Sequence, residues 1–173
     1  FVPPRFYNAA RTARRHRERT GRCLQCELLA AELGAGERIV SESAHWVAYV
    51  PFAARWPYEM RVVPRVHVPD LPALADELRD DLARVYLDVL RRFDGLFEAP
   101  VPYIAAWHQA PVRQDRESWH LAAEIFTIQR APGLLKYLAG SESGAGIWIN
   151  DVTPETAAAR LRAANTELQR TNP

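Results

Sequence analysis

The clearest periodic pattern in the chain lies between residues 76 and 93. Apolar residues recur there at steps of three and four: Leu78, Leu82, Val85, Val89 and Phe93. Arginine and aspartate fill much of the opposite face. Steps of this size place the apolar side chains on one side of a helix and leave the charged side for solvent. The pattern therefore predicts an amphipathic helix over residues 76–93 that stops near Gly95.

Runs rich in β-branched and aromatic residues predict strands on both sides of this helix. The runs that precede it are residues 38–43, 46–50 and 59–63. Prolines punctuate this region and argue against further helices in it. The runs that follow the helix are residues 103–107 and 119–128.

The other predicted elements are shorter. Leucines at near-helical spacing predict a helix over residues 23–33, and Thr153 is a suitable N-cap for a final helix over residues 154–168. Residues 134–138 predict a short turn or helix, and residues 140–146 a glycine- and serine-rich loop. The order of strands, long helix, strands and helix predicts an α+β fold, in which helices pack against an antiparallel sheet.

Residues 1–22 contain seven arginines and few large apolar residues. We expect this segment to be a basic arm, partly helical, that lies on the surface or on a partner chain; a plain solvated face is the alternative. We assign residues 23–168 to one domain and residues 169–173 to a tail. The only methionine is Met60, so we expect further sequence before Phe1.

Charge and composition narrow the classes of partner. The chain has 22 basic and 21 acidic residues and a formal net charge of +1, so we expect no nucleic-acid or membrane partner, although a local basic cluster can still bind phosphate. No apolar run approaches the roughly 20 residues that span a bilayer. Two cysteines only two residues apart do not make an extracellular disulfide framework, and we expect a cytoplasmic location.

The first chemical signal is the pair Cys23 and Cys26. This spacing brings two thiolates to one tetrahedral zinc ion, which needs two further ligands. The candidates are His45, His67, His108 and His120. His67 lies between two prolines, where its side chain is held without helical crowding. Free structural cysteines and a redox pair are the alternatives, although no strand–helix context of the thioredoxin type surrounds the pair.

Further polar residues occur at His108, His120 and Glu124. If residues 119–128 form a strand, His120, Ala122 and Glu124 share one face of it. That arrangement suits a metal site or a phosphate pocket, and an ordinary polar sheet face is the alternative.

Lys136 stands just before the glycine-rich residues 140–146. Glycines let backbone N–H groups approach a ligand, while Lys136 can neutralise phosphate and Glu142 can accept hydrogen bonds from sugar hydroxyls. The segment matches neither the Walker pattern nor the dinucleotide fingerprint. The sequence contains no Gly-x-Ser-x-Gly elbow, no His-Glu-x-x-His and no His-x-His pair. These residues therefore offer ligand-binding groups but no nucleophile.

Several stretches occur in one order along the chain. They are HWVAYVPF (45–52), RWPYE (55–59), VPRVHV (63–68), FDGLF (93–97), PY (102–103), WHQAP (107–111), WHL (119–121) and KYLAGSE (136–142). Together they resemble the C-terminal half of galactose-1-phosphate uridylyltransferases, which are members of the histidine-triad superfamily. The resemblance runs from about residue 23 to residue 162.

This resemblance implies a fold and a reaction. The fold is a histidine-triad-like half-barrel, in subunits that dimerise. The reaction is a two-step transfer of UMP between UDP-hexose and hexose 1-phosphate, in which a histidine of the N-terminal half carries the uridylyl group. The His-Pro-His-Gly-Gln stretch that supplies this histidine does not occur here, so the resemblance implies no catalytic residue in this chain.

The resemblance also implies substrate-binding residues. In the family, the C-terminal half contributes sugar-phosphate contacts across the dimer to the active site of the partner. The matching positions are Lys136, Tyr137, Ala139 and Glu142. Their implied roles are charge neutralisation, packing against the sugar and recognition of its hydroxyl groups.

Some relatives use a Cys-x2-Cys pair before this half to bind zinc. By this resemblance Cys23, Cys26 and His67 match zinc ligands, but Ala122 falls at the fourth position. We expect His120 to replace it only after a shift of roughly 7 Å along the strand.

A second, structural metal occurs in some relatives. His108 matches one of its ligands, whereas family members carry histidine at the position of Ala122 and often at that of Glu124. His108 and Glu124 are therefore secondary candidates, and the second metal site is incomplete.

We interpret the chain as one half, or one subunit, of such a transferase, inactive without an N-terminal half. The alternatives are half of a related sugar-nucleotide phosphorylase or nucleotidyltransferase, and a non-catalytic zinc-binding assembly domain. The expected partners are UDP-hexose, hexose 1-phosphate, the N-terminal half and further subunits in a homo- or hetero-oligomer.

Overall fold

Five antiparallel strands form the central sheet in the computed structural model, which describes residues 2–97 and 99–164. The strands are β1 (Ile39–Glu42), β2 (Trp46–Tyr49), β3 (Met60–Pro64), β4 (Ile104–His108) and β5 (Ala122–Phe126). Their order across the sheet is β1-β2-β3-β5-β4, and each neighbouring pair is antiparallel. The predicted antiparallel sheet is thus confirmed, and β3 and β5 lie side by side inside it.

Helices cover both faces of this sheet. The α-helices of the described residues are α1 (Pro4–Thr20), α2 (Leu24–Ala35), α3 (Asp76–Phe97), α4 (Gly140–Ala145) and α5 (Pro154–Ala163), of which α3 and α5 pack on one face of the sheet and α2 on the other. A two-stranded hairpin of β6 (Gln129–Ala131) and β7 (Leu134–Leu135) follows β5. No helix within the described residues is both long and apolar enough to cross a membrane.

The alternation of side chains along each strand separates two apolar clusters. Trp46, Val62 and Ile125 point to the larger cluster, where they meet the apolar faces of α3 and α5. Val47 points to the opposite face, where a smaller cluster packs against Leu29 of α2. The larger cluster is the core of the domain, and the smaller one supports the α1–α2 side on which the polar groups gather.

Two buried polar contacts fix α3 on the sheet. The indole nitrogen of Trp46 donates a hydrogen bond of 2.7 Å to the carbonyl of Leu78. The carboxylate of Asp81 accepts from the hydroxyl of Ser43 at 2.6 Å and from the backbone N–H of His45 at 2.9 Å. These contacts satisfy polar groups that would otherwise be costly to bury.

The end of α3 differs from the sequence prediction. The helix does not stop near Gly95 but runs through it to Phe97. Leu96 and Phe97 pack against the core, and the ring of Phe97 meets Tyr58 edge-on at 5.7 Å between centroids. This apolar contact outweighs the roughly 1 kcal/mol that a glycine costs inside a helix.

The second half of the chain holds further differences. Strand β5 begins at Ala122 and not at Trp119, because a 3-10 turn over Arg116–Ser118 precedes it. Residues 134 and 135 belong to the hairpin, and the predicted glycine-rich loop is the short helix α4. The final helix begins as predicted after the Thr153 cap, whereas its expected residues 165–168 and the tail over residues 169–173 lie outside the described residues.

The basic arm is a helix that packs on its own domain. Helix α1 ends at Thr20 and is capped by Gly21, whose φ of 73° favours glycine. His16 lies 2.6 Å from the carboxylate of Glu27 on α2, and Arg14 pairs with Asp115 at 3.3 Å. Ala13 is buried against the domain, so the arm forms part of the α1–α2 side.

The core around α3 gives a direct test of this packing. Phe93 is 1% exposed, and Phe93→Ala is expected to lower the free energy of unfolding by about 3–5 kcal/mol, because truncation leaves a cavity. Leu87→Ala on the same helix is the control, since Leu87 is 43% exposed and is expected to cost much less. Urea denaturation of both variants makes the measurement. Equal losses of stability in the two variants would contradict the described orientation of α3.

Candidate functional site

Four side chains from three parts of the chain gather beside the start of α2. The possible ligand atoms of Cys23, Cys26, His67 and His120 all lie within 4.8 Å of one another. The Cys26 sulfur is 3.2 Å from Nδ1 of His120 and 3.5 Å from Nδ1 of His67. Two thiolates and two imidazoles are a donor set that suits tetrahedral zinc, and separations of this size suit ligands of one ion.

Local structure explains why these residues meet. Cys23 is the N-cap of α2, so the first turn of the helix brings Cys26 back beside it. His67 follows the end of β3, and His120 precedes the start of β5. Because β3 and β5 are antiparallel neighbours, the end of one lies beside the start of the other.

His120 is oriented by a hydrogen bond outside the cluster. Its Nε2 lies 3.0 Å from the carbonyl of Pro64, an acceptor, so we assign the ring proton to Nε2. Nδ1 then faces the two sulfurs with its lone pair. Such a second hydrogen bond commonly fixes the tautomer of a metal-binding histidine.

The two thiols are also coupled to each other. The hydrogen bond from Cys26 lowers the pKa of Cys23 below its usual value, and burial opposes that change. The same interaction raises the pKa of Cys26. The pair thus shares one proton, and one thiol of the two ionises readily. A thiolate is the form that binds a metal ion.

The sequence comparison left the fourth ligand position of the zinc site without a ligand, and the structure corrects this expectation. Ala122 offers no ligand, yet His120 supplies the fourth side chain without the expected shift along the strand. The reason is that His120 lies before β5 begins, so the pitch of a strand does not fix its position. His45, another sequence candidate, is not in the cluster.

A second polar centre surrounds Glu124 on the same side of the sheet. Its carboxylate pairs with Arg5 of α1 at 2.9 Å and with Arg55, and Nε2 of His108 lies 3.4 Å away. Arg55 also lies 3.6 Å from the carboxylate of Glu59. The predicted approach of His108 to Glu124 therefore occurs, but with two guanidinium groups beside them.

These partners determine the charge of Glu124. Burial alone would raise the pKa of this carboxyl, but the close approach of His108 and the charges of Arg55 and Arg5 outweigh it and lower the pKa to about 2. A lowered pKa stabilises the fold at a pH above the ordinary value of 4.5, and this stabilisation is lost as the pH falls through about 2. Glu124 is thus a carboxylate at neutral pH.

The residues at this centre do not fit a second metal. Ala122 has no donor atom, and positive groups already neutralise the charge of Glu124. Within residues 2–97 and 99–164, the cysteine–histidine cluster is the one group of three or more possible ligands gathered closely enough for a metal ion.

Lys136 and Glu142 form a buried ion pair beside the segment that carries Arg55. Nζ of Lys136 lies 2.8 Å from the Glu142 carboxylate, and the two side chains are 7% and 2% exposed. Nζ also donates to the carbonyls of Arg55 at 2.8 Å and Ile149 at 2.6 Å. An ammonium group has three N–H donors, so this chain supplies a partner for each of them.

Two tryptophans enclose this ion pair. Nζ of Lys136 lies 5.2 Å from the ring centroid of Trp56 and 5.7 Å from that of Trp148, distances that allow a cation–π contribution. Trp56 in turn stacks on Phe126 at the end of β5. The segment that carries Lys136 is thereby attached to the sheet.

Glu142 organises the short helix α4. Its carboxylate accepts from the backbone N–H of Ala139 at 2.9 Å and from that of Ile149 at 3.1 Å. The hydrogen bond with Lys136 and these backbone donors lower the pKa of Glu142 to about 2. Tyr137, in contrast, is 82% exposed. Of the four positions predicted to bind substrate, the structure thus pairs two internally and exposes one aromatic ring.

Sequence reasoning missed the arginines that complete these centres. Arg5 and Arg55 reach Glu124 across 119 and 69 residues of sequence, so spacing gives no sign of either contact. The sequence held one sign of these contacts: Arg55 and Glu59 stand four residues apart in an otherwise apolar stretch, which the structure buries. A charged pair in such a run indicates a buried partner.

Comparison with known proteins agrees with this architecture. A family model described as the C-terminal domain of galactose-1-phosphate uridyl transferase matches residues 8–171. A galactose-1-phosphate uridylyltransferase of Streptomyces lividans is 40% identical, in a match that covers 94% of this chain and 48% of that protein. The chain spans about half the length of the curated relatives it matches.

Solved structures give the same result. One described as a uridylyltransferase has a TM-score of 0.88 and 36% identity, over 100% of this chain and 53% of its own. A zinc-bound histidine triad family protein from Mycobacterium smegmatis has a TM-score of 0.56 and 16% identity, over 87% of this chain and 97% of its own, which shows the histidine-triad-like fold alone. The fold, the matched residues and the identity to these relatives show that the chain belongs to the galactose-1-phosphate uridyl transferase C-terminal domain family.

Proposed function

We propose that this chain forms the non-nucleophilic half of an enzyme that transfers UMP between UDP-hexose and hexose 1-phosphate. The observation that carries the proposal is the position of the Lys136–Glu142 pair, which holds an exposed apolar segment on the domain. An N-terminal half supplies the attacking histidine in this proposal. The reaction then needs both halves in one assembly.

The segment around the ion pair has the character of a contact surface. Its exposed large apolar residues are Leu134, Leu135, Tyr137, Leu138, Ile147, Trp148 and Ile149. Contiguous exposed apolar surface of this kind marks binding sites on soluble proteins. We propose that this surface meets a second subunit and that the segment reaches the active site of that subunit.

Lys136 and Glu142 fit two roles in such a site. Lys136 neutralises a substrate phosphate if it exchanges one of its carbonyl acceptors for a phosphate oxygen. Glu142 remains charged at neutral pH and can accept a hydrogen bond from a sugar hydroxyl. Tyr137 extends from the surface and is free to pack against a sugar ring. Ala139 contributes its backbone at the start of α4.

The edge of the sheet offers a place for the N-terminal half. Within the described residues, β4 pairs with β5 on one side and ends the sheet on the other. Tyr103 and Ile104 are 45% and 51% exposed there. An exposed apolar edge strand is prone to pair with another chain, so we propose that the N-terminal half covers it.

We also propose that Cys23, Cys26, His67 and His120 bind a structural zinc ion. Four protein ligands close the coordination shell and leave no position for a catalytic water. The closeness of the four ligand atoms, within 4.8 Å of one another, supports this proposal. Zinc would join α2, the end of β3 and the residues before β5, and two free thiols suit a cytoplasmic protein.

One observation favours a non-catalytic assembly domain as a second candidate. All three donors of Lys136 are used inside the chain, as a purely structural lysine requires. In that case the segment binds the other subunit but makes no contact with the substrate. Exposed Tyr137 distinguishes the two candidates, because its removal disturbs little inside this chain.

The reconstituted reaction is the first test. This chain alone is expected to transfer no UMP from UDP-glucose to galactose 1-phosphate, because it lacks the nucleophile, and addition of the N-terminal half is expected to restore transfer. Coupled measurement of glucose 1-phosphate release follows the reaction. A parallel assay with ADP-glucose and phosphate separates the transferase from a phosphorylase. Robust turnover by the isolated chain would refute the proposal.

Tyr137→Ala tests the role of the exposed segment. In the assembled enzyme it is expected to lower kcat/KM by about tenfold through lost aromatic packing, with unchanged thermal stability. Tyr7→Ala is the matched control, since Tyr7 is 59% exposed on α1 and is expected to leave kcat/KM unchanged. If Tyr137→Ala retains full activity while the halves still assemble, the assembly-domain candidate is preferred.

Zinc content is the third test. Elemental analysis is expected to give one zinc per chain, and Cys26→Ser is expected to abolish it. Removal of zinc by a chelator is expected to lower the free energy of unfolding by about 3 kcal/mol, relative to free zinc at about 100 times its dissociation constant. His45→Ala is the control, because this histidine lies outside the cluster. A zinc-free chain of undiminished stability would remove this part of the proposal.

A further inference from the structure

The centre at Glu124 contains its own cations. The carboxylate is 4% exposed and has Arg5 and Arg55 on it, with His108 at 3.4 Å. Arg55 also donates its backbone N–H to Glu59 at 2.8 Å, and its guanidinium lies 3.6 Å from that carboxylate. The two guanidinium groups therefore balance the charge of the two carboxylates that they contact, while Arg61, which lines the same region, bonds Gln25 at 3.3 Å.

This balance leaves no place for a metal ion. An arginine side chain cannot lose its proton in a protein, so its charge stays at the carboxylate at any working pH. A divalent cation would then add two uncompensated charges to a site of low exposure, which is costly. The neighbouring Ala122 contributes no ligand that would offset this cost.

The two arginines come from different parts of the structure. Arg55 lies in the segment between β2 and β3, whereas Arg5 belongs to the first turn of α1. The ring of Phe6 lies 5.5 Å from the ring of His108 in the same region. Contact between Arg5 and Glu124 therefore ties the start of α1 to the middle of β5.

A cavity of about 390 Å³ lies between α1 and the sheet. Arg5, Ala122, His108 and Glu124 are among the residues that line it. The small side chain of Ala122 faces this space, so a larger side chain can be accommodated at that position. The start of α1 forms one wall of the cavity.

We propose that Arg5 and Arg55 take the place of a bound divalent cation at Glu124 and His108, and form a metal-free junction that fastens α1 to the sheet. Guanidinium groups supply the positive charge that a metal would otherwise bring, through directional hydrogen bonds. Of the two arginines, Arg5 separates from Glu124 more easily, because its side chain is 52% exposed while that of Arg55 is 17% exposed. The proposal does not depend on the transferase reaction.

Metal titration of the zinc-loaded full chain tests the substitution of arginine for metal. Cobalt(II) is the probe, and its visible absorption reports coordination by nitrogen and oxygen. The wild-type chain, whose cysteine–histidine site already holds zinc, is expected to bind no cobalt at Glu124 and His108 and to show no cobalt absorption. The double variant Arg5→Glu/Ala122→His removes one guanidinium and adds a carboxylate and an imidazole beside His108 and Glu124. It is expected to bind one cobalt ion, and His108→Ala in that background is expected to lose it.

Two results would overturn the assignment. One is a second metal ion in the wild-type chain that His108→Ala removes, because the junction would then be a metal site. The other is a folded double variant that binds no cobalt, because Arg5 would then not hold the place of a cation.

Hydrogen exchange tests whether the contact of Arg5 with Glu124 holds α1 on the sheet. Arg5→Ala is expected to speed amide exchange in α1 by about tenfold, since a charge-assisted contact to a buried carboxylate is lost. Arg11→Ala is the matched control, because Arg11 is exposed on the same helix. Equal exchange in the two variants would show that Arg5 does not fasten α1.

Discussion

Antiparallel pairing of β3 with β5 is the constraint on which both polar centres depend. In this register Arg61 faces Glu124 and Met60 faces Ile125, so the end of β3 lies beside the start of β5. His67 and His120 approach each other at the cysteine pair for this reason. The same pairing sets Glu124 within reach of the segment that carries Arg55. A slip of one residue would turn every side chain of β5 to the other face.

The two centres use charge in different ways. At the cysteine–histidine cluster, two sulfurs and two imidazole nitrogens face one another at distances that suit the ligands of one cation. At Glu124, the chain provides guanidinium groups and neutralises itself. The Lys136–Glu142 pair also neutralises its own charge inside the chain. Its contacts hold in place a segment whose outer surface is apolar and exposed.

Periodicity predicted the elements well because apolar burial decides them. The helix over residues 76–93 and the strands around it follow from one apolar face each, whereas the end of α3 depends on contacts such as that of Phe97 with Tyr58. The closeness of Cys23 and Cys26 could be predicted because Cys-x2-Cys spacing is local. The role of His120 could not be settled, because it depends on where β5 begins. Arg5 was hidden by its distance in sequence from Glu124.

In the proposed function, the covalent step takes place on a histidine of the N-terminal half, outside this chain. Mass spectrometry of the assembled enzyme, quenched during turnover of UDP-glucose, measures this assignment most directly. We expect a uridylyl adduct on a histidine of the N-terminal half and none on any of the five histidines of this chain. A uridylyl group attached to any histidine of this chain, in amounts that turn over with substrate, would contradict it.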